Sequence, residues 1–177
     1  MRARHGRDNI PKLSTLSSLM KNPKPTSDSA DSILSQPPPK ATRTPAVTDR
    51  SRELAAAAAR TAIVNNGSDV LVLDVCEQTA LFDYFVIATG TSRRQLHAIS
   101  EEIDDVLQKE LGDQRLGIEG YEDSRWIVLD YGSVMIHLFD EEARAYYDLE
   151  SLWADAKIVP LAELGLSEAE LSPRSKS

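Results

Sequence analysis

Trp126-Ile127-Val128-Leu129-Asp130-Tyr131-Gly132-Ser133-Val134-Met135-Ile136-His137-Leu138-Phe139 decides how this chain folds. Two apolar runs flank a glycine, and apolar runs around a short turn predict a β-hairpin. Placing the two-residue turn at Tyr131-Gly132 lets glycine supply the positive φ that tight hairpin turns need. Side chains alternate between the faces of a strand. One face then carries Ile127, Leu129, Val134, Ile136 and Leu138, all aliphatic, an ordinary core face. The other carries Trp126, Val128, Asp130, Ser133, Met135, His137 and Phe139, with Trp126 across the hairpin from His137. A large aromatic, a thioether, an imidazole and a carboxylate together suit a surface that docks a partner. The plainer alternative is a strand face covered by a helix of the same chain.

Val70 to Val75 and Phe85 to Ala88 are short apolar runs bounded by polar residues, the pattern of buried strands. Residues 51–66 have a small-residue apolar stripe capped by Ser51, and residues 93–111 place Leu96, Ile99, Ile103, Val106, Leu107 and Leu111 on one helical face. Ser92 with Gln95 three positions on is a capping box. Residues 115–119 can add a short strand. Asp140 caps a last helix over about 141–155, whose apolar side holds Ala143, Tyr146, Tyr147, Leu149, Leu152 and Trp153. Ile158-Val159-Pro160-Leu161 can return as an edge strand, where proline is tolerated. Mixed helices and strands in this order predict an α/β class with one mixed sheet flanked by helices.

Composition divides the chain. Residues 1–48 hold seven of the nine prolines and no Phe, Trp or Tyr, and they carry eight Lys/Arg against three Asp/Glu. Such a segment buries too little apolar surface to offset the entropy of ordering, so it reads as a disordered basic tail. The folded part is expected over 49–161, with a C-terminal tail over 162–177. The arginines near the N-terminus faintly resemble a transit peptide, but Asp8, Asp28, Asp31 and the early prolines argue for a plain extension. The whole chain is −8 and the tail +5, leaving −13 on residues 49–177. An acidic domain repels phosphate backbones, which argues against direct nucleic-acid binding by the folded part and fits a basic protein partner. Plain solubility is served by the same balance. The basic tail suits an independent contact with nucleic acid. Cys76 is the only cysteine, so neither an intrachain disulfide nor a cysteine-cluster metal site can form. No apolar stretch is long enough to span a bilayer, and a cytoplasmic location is expected.

The candidates for chemistry are weak. Thr89-Gly90-Thr91-Ser92 opens a helix, where exposed amides bind anions, and Arg93 and Arg94 add charge. No GxGxxG or GxxxxGK[ST] is present, so a capped helix with a glycine for the turn is the stronger reading. Metal-dependent phosphoryl transfer needs carboxylates converging on one site. Asp74 and Asp130 lie on or at the ends of strands but are isolated, with no Asp-x-Asp. His137 has no serine or cysteine in a nucleophile–base arrangement. No catalytic residue, metal site or cofactor is expected.

Four segments together resemble the ribosomal silencing factor family, also called Iojap-like. They are Asp83 to Ser92; Gly120 with Trp126 to Gly132; Val134 to Phe139 with His137; and Arg144-x-Tyr146-Tyr147-x-Leu149-Glu150-x-Leu152-Trp153. They come in the family's order and spacing and cover about residues 51–160. The resemblance implies a single nucleotidyltransferase-like domain without the catalytic carboxylates. It implies binding to the large ribosomal subunit through ribosomal protein uL14, which sterically blocks the small subunit and represses translation. Mitochondrial and chloroplast members act in large-subunit assembly, and some members form homodimers when free. The expected contact residues are Trp126 as anchor, with Val128, Met135 and His137 around it. Asp130 would pair with a partner Lys or Arg, and Tyr131, Gly132 and Ser133 would extend the contact at the hairpin tip. Trp126→Ala should then spare the fold and weaken binding. Two alternatives remain: a large-subunit assembly factor, and a nucleotide-binding enzyme using Gly90-Thr91-Ser92 with Asp74 or Asp130.

Overall fold

The computed structural model describes residues 45–166. The expectations for residues 1–44 and 167–177 lie outside the described residues. The order is α1 (Pro45–Val64), β1 (Ser68–Asp74), β2 (Tyr84–Gly90), α2 (Arg93–Asp105), a π-helical turn (Val106–Glu110), β3 (Gly117–Glu119), β4 (Trp126–Asp130), β5 (Val134–Asp140), α3 (Glu141–Tyr147), α4 (Leu149–Leu152), β6 (Lys157–Ile158) and a 3₁₀ turn (Leu161–Leu164). The strands form one six-stranded sheet in the order β3-β4-β5-β2-β1-β6. Only β2 and β5 run parallel; the other neighbours are antiparallel, so the sheet is mixed as expected.

α1 starts at Pro45, where a missing N–H costs nothing in a first helical turn. Its run Ala55 to Ala59 combines the best helix former with a side chain small enough to lie close on the sheet. Leu54, Ala55, Ala58 and Ala62 pack with Leu96, Ile99, Ile103 and Leu107 of the second helical stretch on the aliphatic sheet face of Val72, Val86, Ile127, Leu129, Ile136 and Leu138. That layer is the main core. Leu164 and Leu166 join it, so the fold runs past residue 161.

The hairpin forms, with its turn one residue later than expected. Trp126 pairs with Phe139, Val128 with His137 and Asp130 with Met135. The Tyr131 N–H donates to the Val134 carbonyl at 3.0 Å, leaving Gly132-Ser133 as the loop. Gly132 takes φ +74°, and its N–H donates to Asp130 Oδ1 at 2.7 Å. Moving the turn by one residue shifts each cross-strand partner by two, so every side chain keeps its face. Trp126 and His137 become diagonal neighbours instead of opposite ones.

Two helices depart from expectation. The stretch over 93–111 is α-helical to Asp105 and then widens into the π turn, which keeps Leu107 in the core while the Leu111 carbonyl accepts from Arg50 Nη2 at 2.5 Å. The expected helix over 141–155 breaks at Asp148, which sits in the left-handed region at φ +41°. Aspartate tolerates that region better than most residues, and the break turns Leu149 into the interior.

Gly90 closes β2 against α2. A Cβ there would lie 2.7 Å from Leu96 Cδ2 and 3.0 Å from its Cγ, and Leu96 is fully buried. Gly90→Ala is expected to destabilise by about 1–3 kcal/mol through overpacking. Urea denaturation checks this, and an unchanged midpoint would mean that Leu96 moves aside freely.

Candidate functional site: the aromatic face of the hairpin

The second sheet face is an aromatic layer. Trp126 packs against Phe139 (ring centroids 4.9 Å), Tyr147 (4.8 Å) and His137 (5.9 Å). Phe85 of β2 continues the layer, edge-on to His137 at 5.1 Å and to Trp153 at 4.9 Å. α3 and α4 lie over these rings. Trp126, Val128 and Met135 are 3, 5 and 8% exposed, and His137 is completely buried. The two faces alternate along β4 and β5 as expected. The expected openness of this face is corrected: in the described residues it is covered by the chain's own α3–α4 segment, because Tyr147 and Trp153 bring their rings down onto it.

His137 is held by one hydrogen bond. Trp126 Nε1–H donates to His137 Nδ1 at 3.3 Å. An indole nitrogen can only donate, so Nδ1 is the acceptor and the proton of the neutral ring sits on Nε2. That Nε2 is buried and has no hydrogen-bond partner among the described residues. Burial alone pushes the imidazole down to about 3, because a charged ring would lose its hydration there.

The remaining expected contact residues divide. Asp130, Gly132 and Ser133 are half-buried at the hairpin tip. Tyr131 is buried on the opposite, aliphatic side and donates its hydroxyl to Asp104 Oδ1 at 2.6 Å; burial raises its pKa. The tip is tied down. The Ser133 carbonyl accepts from the N–H groups of Asp83 (2.7 Å) and Tyr84 (3.2 Å). The Ser51 hydroxyl donates to Asp83 Oδ2 at 2.6 Å and lies 2.9 Å from Ser133 Oγ. Asp83 is buried and joins α1, β2 and the hairpin tip.

Tyr146 and Leu152, expected on the apolar side of the last helix, are instead 82 and 57% exposed, and the Tyr146 ring lies edge-on to Tyr147 at 5.1 Å. The signal was the adjacent pair Tyr146-Tyr147. Neighbouring helical side chains diverge by about 100° around the axis, so both rings could not enter one core.

The components of the nucleotide reading lie far apart. Gly90 ends β2, whereas Asp74 pairs with Tyr84 at its start, six residues away, or roughly 20 Å along a strand. Asp130 sits beside Met135, which pairs with Phe85, at that same far end. Each carboxylate accepts a nearby N–H, Asp74 from Cys76 and Asp130 from Gly132. The Thr91 N–H and hydroxyl both donate to Gln95 Oε1, and Ser92 caps Gln95 N. Two donors of the helix start, the Thr91 and Gln95 N–H groups, are thus taken by side chains of the same segment. Among the described residues no cluster of three or more His, Cys, Asp or Glu could hold a metal ion. No helix among them is long and apolar enough to cross a membrane.

Residues 48–177 match the family model described as ribosomal silencing factor during starvation. The ribosomal silencing factor RsfS of Bacillus subtilis is 43% identical over 96 residues, spanning 54% of this chain and 78% of that protein. The mouse protein named mitochondrial assembly of ribosomal large subunit protein 1 is 39% identical over 90 residues, 50% of this chain and 40% of that one. A solved structure from Chromobacterium violaceum superposes with a TM-score of 0.54 at 34% identity, covering 60% of this chain and 86% of that one.

Proposed function

The chain belongs to the ribosomal silencing factor family, and on that premise we propose that it binds the large ribosomal subunit through ribosomal protein uL14 and blocks joining of the small subunit. The match of residues 48–177 to the family carries this reading. The mechanism is steric: binding must hold the factor against a competing subunit, and no bond is made or broken. The −13 charge of residues 49–177 complements a basic ribosomal protein and would speed encounter at low salt. The contact is assigned to the hairpin: Asp130, Gly132 and Ser133 at the accessible tip, beside Tyr131, then Trp126, Val128, Met135 and His137 beneath the cover. Two copies would pair when the factor is free. In a bacterial cell the factor would act in the cytoplasm. On this reading the sheet is a nucleotidyltransferase-like scaffold without its catalytic carboxylates. The separation of Asp74 and Asp130 from Gly90 is consistent with that.

A second reading, assistance in assembling the large subunit, is favoured by the similarity to the mouse mitochondrial assembly protein. Sedimentation of the protein with isolated subunits separates the two. Co-migration with large subunits and failure of small subunits to join is the expected result. Co-migration with normal joining would favour assembly. No co-migration at moderate salt would overturn both.

A further inference from the structure

The two layers on the sheet are unequal. α1 and α2 bury whole helical faces in the core. α3 and α4 bury one side chain each, Ala143 and Leu149, and otherwise rest on the aromatic face through the half-buried rings of Tyr147 and Trp153. Segments with few buried apolar contacts open locally at lower free energy than core elements.

This segment is anchored at both ends. Upstream, Asp140 is the last residue of β5, pairs with Gly90 and binds Arg125. Downstream, β6 pairs with β1, and the Val159 N–H donates to the Val72 carbonyl at 2.9 Å. Between the anchors lies the left-handed joint at Asp148. Arg144 spans that joint, its Nε and Nη2 lying 2.8 and 2.7 Å from Glu150 Oε1. Its Nη1 donates to Thr89 Oγ1 and to the Asp69 carbonyl, both at 2.7 Å, clasping the segment to the sheet. Beneath it the His137 Nε2–H lacks an acceptor, a donor left unsatisfied in the closed arrangement.

From the thin packing, the two fixed ends, the Arg144 clasp, beside which Gln78 Nε2 donates to the Asp155 carbonyl and Arg125 pairs with Glu142, and the orphaned donor, we infer that residues 141–156 form a hinged cover, latched by Arg144. It lifts to present Trp126, Met135 and His137 to a partner group that accepts a hydrogen bond, a backbone carbonyl or a carboxylate. The use of the opened face for docking rests on the ribosomal reading; the existence of the cover does not.

Hydrogen exchange read by mass spectrometry on the full chain, without ribosomes, tests the cover. Amides of residues 141–153 should exchange through local openings, faster than those of β2, β4 and β5. Arg144→Ala should lower their protection about tenfold or more, since it removes charge-assisted bonds, and leave β4 and the middle of β2 unchanged. Glu150→Gln, which spares the bonds to Thr89 and Asp69, should give a smaller loss in the same segment. It serves as the test if the Arg144 variant does not fold. Wild-type protection of 141–153 equal to that of β2 and β5 would overturn the inference. So would parallel loss across the sheet in the variants. Failure to co-sediment with large subunits would remove only the docking role, leaving the exchange result standing.

Discussion

Trp126→Ala is expected to lower the unfolding free energy by about 3–5 kcal/mol, the usual cost of emptying a buried tryptophan site. The indole fills the space between Phe139 and Tyr147 and is 3% exposed. Its removal leaves a cavity in a layer that α3 and α4 cover only thinly. It also leaves His137 Nδ1 without its donor, so both imidazole nitrogens would then be buried and unpaired. An unsatisfied buried polar atom adds to the loss. Guanidinium denaturation should show a lower midpoint with an unchanged slope, because the same surface is exposed on unfolding. A midpoint equal to wild type would place the indole at the surface. This reverses what the sequence predicts for the same substitution. Weakened ribosome binding by this variant would therefore not by itself identify Trp126 as a contact.

Acid should destabilise the protein through His137. The imidazole ionises near 6.5 in the unfolded chain but only at about 3 in the fold. Between these values the unfolded state binds a proton that the native state refuses. Stability is therefore fully present above about pH 6.5 and falls as the pH drops toward 3, by about 1.4 kcal/mol per pH unit. Carboxylates begin to titrate below roughly pH 5, so the window from 6.5 to 5 isolates the histidine best. His137→Gln keeps an acceptor for Trp126 Nε1 and cannot ionise. Its unfolding free energy should change less with pH across that window, by about the slope of one proton. Parallel curves for variant and wild type would show that His137 gains its proton equally in both states.

The alternation in 126–139 determined the two-faced hairpin, and it did so even with the turn misplaced by one residue. Face assignment depends only on odd and even positions, and a one-residue move of the turn preserves that parity. Ser92 with Gln95, and Asp140, marked helix starts, because a cap is a contact made within four residues. The strands β1 and β2 were legible from short apolar runs, whereas β6 is Lys157–Ile158, so of the expected edge strand over 158–161 only Ile158 lies in it, and Pro160 instead precedes the 3₁₀ turn. The four family motifs, read in order, pointed to the ribosomal silencing factors.

Tertiary structure decided what covers the aromatic face. Period-two alternation says which side chains share a face, but whether a face meets solvent or the chain's own helices depends on contacts between distant residues. Trp153 on Phe85 and Tyr147 on Trp126 are such contacts. The break at Asp148 and the π turn after Asp105 likewise follow from where Leu149 and Leu107 must go to be buried. The separation of Gly90 from Asp74 and Asp130 came only from strand order and direction. The unpaired Nε2 of His137 required knowing every group around it, which no local pattern contains.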